Sequence, residues 1–113
     1  MQKAIEKMQA LGRMPDESAD APSDETVDLW QTLTEEITLP VTKEEAAVLL
    51  TLFPEEDLCG LAWNLMQAVE SLLPDIVSPA EYRALIQTCV SREWRETMEI
   101  RLNNWEKKEN GNA

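Results

Sequence analysis

At 113 residues the chain has room for one domain, and 43% apolar residues place it in the globular range. Twenty-two acidic residues against ten basic ones give a net charge of −12, which disfavours binding nucleic acid through its phosphates. Histidine is absent, so the commonest general base and the commonest zinc ligand are both missing.

Residues 2–11 carry Ala4, Ile5, Met8 and Leu11 on one helical face, with Gly12 to end the helix. A helix this short is marginal alone, and residues 13–23 are small, acidic and Pro-containing. Residues 1–22 are therefore expected as a flexible acidic arm, a mobile tail or one loosely docked, in which a short helix can form. A second helix is predicted after Ser23, where Asp24 and Glu25 meet the positive end of the dipole. Val27, Trp30, Leu33 and Ile37 recur at helical spacing until Pro40 stops it.

The third helix has a capping box, Thr42 as N-cap and Glu45 at N3, with Val41 and Ala46 placed as a hydrophobic staple. Pro54 followed by Glu55, Glu56 and Asp57 reads as another start. The predicted helix over 54–73 holds Leu58, Leu61, Ala62, Leu65, Met66, Val69, Leu72 and Leu73 in one period, which makes it the central helix. Gly60 inside it is expected to let another backbone approach closely. Ser78, Pro79 and Glu81 repeat the start pattern, with Val77 and Tyr82 as staple. From Tyr82 through Leu85, Ile86, Cys89, Val90, Trp94, Met98 and Leu102 to Trp105 the stripe keeps phase, predicting one helix to about residue 107. Ser91 offers a cap for a separate final helix, and residues 109–113 are expected as a disordered tail.

Short connections between these elements imply an all-α fold, a small antiparallel bundle of four to five helices over residues 23–108. No apolar run approaches the length of a membrane span, and Met1–Glu6 shows no secretory h-region. Two cysteines, Cys59 and Cys89, make no disulfide framework; both are expected reduced and buried, in a cytoplasmic protein.

The acids are unevenly placed. Thirteen of the twenty-two fall between residues 16 and 57, where Lys43 is the single base. Such a field speeds encounter with a basic protein surface, although it also serves solubility alone. No Gly-rich nucleotide loop and no EF-hand spacing occurs, and first-turn capping accounts for Glu44-Glu45 and Glu55-Glu56-Asp57 without a metal or an acid–base pair. No catalysis and no cofactor is expected. The stretch from Asp57 to Leu65, with Trp94-Arg95, Arg101 and Asn103, resembles small bacterial helical proteins; the resemblance names no family and assigns no residue a role.

The functional expectation is an acidic, non-catalytic protein-binding domain of the bacterial inhibitor or immunity type. Its contact residues on a basic partner would be Asp24, Glu25, Asp28, Glu35, Glu36, Glu44, Glu45, Glu55, Glu56 and Asp57. The alternative is a structural or adaptor protein that forms a homodimer through Trp94, Met98, Leu102 and Trp105, since Trp and Met are enriched at interfaces. That spacing more often marks a core. Arg92, Arg95 and Arg101 flank the stripe, where they could pair with acids on other helices.

Overall fold

The structure, a computed structural model, describes residues 1–18 and 21–109, and among them the chain is all helical, with no strand. Its elements are α1 (Lys3–Leu11), α2 (Asp24–Glu35), α3 (Lys43–Leu50), α4 (Leu61–Glu70), α5 (Pro79–Ile86) and α6 (Arg92–Glu109). Six helices are present, α1 within residues 1–22 and five beyond them, and the connections run from five to twelve residues. α6 reaches Glu109, where the tail was expected to begin, and the rest of that tail lies outside the described residues.

Caps written into consecutive residues set most of the starts. Ser23 Oγ accepts the Thr26 backbone N–H at the head of α2. Full capping boxes open α3, between Thr42 and Glu45, and α5, between Ser78 and Glu81, where Pro79 pre-sets the first helical φ. The staple residues Val41, Ala46, Val77 and Tyr82 are all buried. Gly12 closes α1 at φ +89°, its N–H shared between the Met8 and Gln9 carbonyls.

Two predicted helices are broken by bonds from distant residues. Residues 54–60 are not helical, although Pro54 and three acids have the look of a first turn. The Glu56 and Asp57 N–H groups donate instead to Asp16 Oδ1, at 2.9 and 3.0 Å. Their neighbours' carbonyls are also engaged: Ser91 Oγ donates to Glu55 O and Trp94 Nε1 to Glu56 O. α4 then starts at Leu61, preceded by Cys59 at φ +50° and Gly60 at φ +83°. Gly60 therefore serves a left-handed backbone and not a close approach, for a Cβ there would meet nothing within 4 Å.

The long C-terminal stripe is likewise two helices. Val90 donates its N–H to Leu50 O, and Ser91 Oγ accepts the Trp94 N–H to cap α6.

The N-terminal segment is docked on the core. Ile5, Met8 and Met14 are fully buried, and α1 packs on both α2 and α3. Met14 N–H donates to Leu52 O, and Arg13 Nε to Phe53 O at 2.6 Å. A marginal helix gains its order from tertiary burial of an apolar face, which local propensity does not report. One continuous core results, with α4 against α2 and α3, α5 against α6, and Trp94, Met98 and Leu102 of α6 inside it. Cys89 is buried as expected, whereas Cys59 is exposed.

Candidate functional site

The ten predicted contact acids divide by burial. Asp24, Glu25, Asp28, Glu35, Glu36, Glu44, Glu55 and Glu56 are exposed. Glu45 is 3% exposed, which removes it from any docking surface. Its carboxylate accepts the N–H of Gln2 at 2.6 Å and that of Thr42 at 2.9 Å. Burial raises its pKa, but hydrogen bonds from the Gln2 and Thr42 N–H groups and side chains outweigh that and hold it below the ordinary carboxylate value. Asp57 is half-buried, and its two oxygens accept N–H groups of Leu58, Gly60 and Ala62. It is a local cap for the turn into α4.

The eight exposed acids share an electrostatic property that the sequence did not disclose. Four ion pairs occur among the described residues: Lys43–Glu81, Arg83–Glu106, Arg92–Glu96 and Arg101–Glu70. Every carboxylate in them lies beyond residue 57. Four of the ten cations are thus engaged with carboxylates of the carboxyl-terminal half, while Arg13 and Arg95 donate to the backbone carbonyls of Phe53 and Cys89. Among the described residues none of the exposed carboxylates between 24 and 56 forms an ion pair.

Loop 51–60 carries part of this charge on a braced backbone. Asp16, 5% exposed, accepts from Glu56 and Asp57, and from the Ser18 N–H and hydroxyl. The Glu17 N–H donates to Asp57 O, and the Glu17 carboxylate accepts both the N–H and the thiol of Cys59. That thiol bond first, then desolvation and the charges of Glu17, Asp57 and Asp24, push the Cys59 pKa up. A thiol held protonated is a poor nucleophile. Among the described residues no group of three His, Cys, Asp or Glu side chains is arranged to hold a metal ion, and no helix is long and apolar enough to cross a membrane.

No protein family, curated protein or solved structure matches the chain. The site therefore stands on its own geometry.

The aromatic stripe offered as an alternative interface faces inward. Trp94, Met98 and Leu102 are buried and Trp105 is half-buried against the same core. Trp94 lies 5.8 Å from Phe53 between ring centroids. A dimer seam built on these side chains would have to open the core that they fill. Beside them, Glu70, Leu73, Tyr82, Arg101, Leu102 and Trp105 line a recess of about 210 Å³. Ligand pockets generally run from about 300 to 1,000 Å³, so it is small for one. The buried Tyr82 hydroxyl has no hydrogen-bond partner among the described residues, and burial, then the Glu70 charge, push its pKa up.

Sequence reasoning missed the two groups that organise the surface. Asp16 lies among the small, acidic residues 13–23, and the apolar period over 54–73 does not include Trp63. Trp63 is 43% exposed. Arg101 stacks over its ring at 5.2 Å, and Trp94 packs against it at 6.0 Å. The signal for Asp16 was absent, because its partners lie about forty residues away in the chain.

Proposed function

We propose that the chain is a non-catalytic docking domain that binds a basic protein through the exposed acids of residues 24–56. The observation that carries this reading is the charge imbalance just described: eight exposed carboxylates with no cation of the chain among their described ion-pair partners. Uncompensated surface charge raises the encounter rate with a positive surface and selects against negative ones, more than it deepens affinity. Several of the acids sit on first helical turns or on the braced loop 51–60, so their backbone positions are fixed before contact. An inhibitor- or immunity-type protein would use such a surface to cover a basic cleft and exclude its substrate.

The test couples charge reversal with ionic strength. Partners retained by the immobilised chain are re-bound to a variant with Glu35, Glu36, Glu55 and Glu56 changed to Lys, and association is followed from low to high salt. Electrostatic steering predicts at least a tenfold slower association for the variant and a steep fall with salt for the native chain, within the roughly 10–10³-fold range of such effects. Association that ignores both changes overturns the proposal.

A further inference from the structure

Trp63 is the one tryptophan among the four that the fold leaves exposed. Its exposure does not come from a lack of neighbours. Arg101 lies over the ring at 5.2 Å, and both prongs of that guanidinium are fixed by the Glu70 carboxylate, at 2.7 and 3.0 Å. Trp94, inclined at 65° to it, supports the indole from the core side. A large side chain so held has little rotamer freedom left to lose on binding, which is the property of an interface anchor.

The anchor and the acids share one scaffold. Trp63 lies in the first turn of α4, directly after the loop that carries Glu55 and Glu56. Trp94, which supports it, donates its indole N–H to Glu56 O at 2.5 Å.

We infer that Trp63 is the aromatic anchor of the acidic docking surface, the platform on which a lysine or arginine side chain of the partner packs while nearby carboxylates take its charge. This rests on the docking function proposed above and names its centre. The indole is the strongest aromatic platform for a cation, and the guanidinium already against it is paired with the Glu70 carboxylate. The aliphatic stem of a Lys or Arg supplies apolar contact of matching kind. Charge complementarity decides the occupant: a second copy of this chain would bring another −12, and an anionic surface would be repelled.

An oligolysine peptide serves as the probe, titrated into the full chain at low salt with both affinity and tryptophan emission recorded. Trp63→Ala is expected to weaken binding about tenfold, as truncation of an interface anchor does. Native emission should change on titration, and in Trp63→Phe that change should vanish, because the remaining tryptophans are buried or half-buried. If Trp63→Ala does not fold, the emission result of Trp63→Phe decides. Native affinity in Trp63→Ala, or a full emission change in Trp63→Phe, overturns the anchor. Should a Glu55→Lys, Glu56→Lys chain lose binding in that same case, acidic docking stands without it. Absence of salt-sensitive binding by the native chain sinks both.

Discussion

The Glu45 carboxylate accepts the backbone N–H of Gln2 at 2.6 Å, across 43 positions of sequence. One side chain thereby completes the capping box of α3 and fastens the residue that precedes α1. An acid that looked like surface charge is a fixing point for the N-terminal segment.

Replacing it isolates that role. Glu45→Gln is expected to destabilise the fold by about 1–3 kcal/mol, the cost of disrupting buried charge-assisted bonds. Urea unfolding midpoints measure it, and an unchanged midpoint would show that the N-terminus is not held there.

The same carboxylate gives the effect a pH window. Its folded pKa lies below the ordinary 4.5, so the folded state binds the proton less readily than the unfolded chain. The stability it contributes is full above 4.5 and is lost as pH falls through the lowered folded value. Native and Glu45→Gln unfolding free energies should therefore converge in acid and separate towards neutrality.

Docking of the N-terminal segment predicts a core-sized penalty at Met14, whose side chain is 1% exposed. Met14→Ala should cost about 2–5 kcal/mol, as other Met→Ala truncations in cores do. A flexible arm would show almost no change in thermal midpoint.

At Gly60 the backbone lies at φ +83° with open space around the Cβ position. Gly60→Ala is expected to cost about 1–2 kcal/mol from left-handed strain alone. A Cβ clash would instead appear as a larger loss in chemical denaturation.

Tyr82 presents the opposite case. Its buried hydroxyl has no partner among the described residues, so Tyr82→Phe should be neutral or raise stability by up to about 1–3 kcal/mol. Calorimetry would detect the shift, and a clear loss would reveal a bond to that hydroxyl.

Sequence alone determined what is encoded within one or two turns of chain. The capping boxes at Thr42 and Ser78 and the helix start after Ser23 stand as read, because donor and acceptor lie three residues apart. Helical class followed from apolar spacing, and the crowding of acids between 16 and 57 was plain in the composition. Tertiary structure decided everything set by partners far away in the chain. Pro54-Glu55-Glu56-Asp57 carries a valid first-turn pattern, yet Asp16, Ser91 and Trp94 take its peptide groups for other bonds, and the helix waits until Leu61. Leu50 likewise accepts the Val90 N–H where one long helix was predicted. Charge can be counted along a chain, but whether a carboxylate caps a helix, pairs with an arginine or stays bare depends on what folding brings beside it. That is why Glu45 and Glu44, adjacent and alike in sequence, finish on opposite sides of the surface.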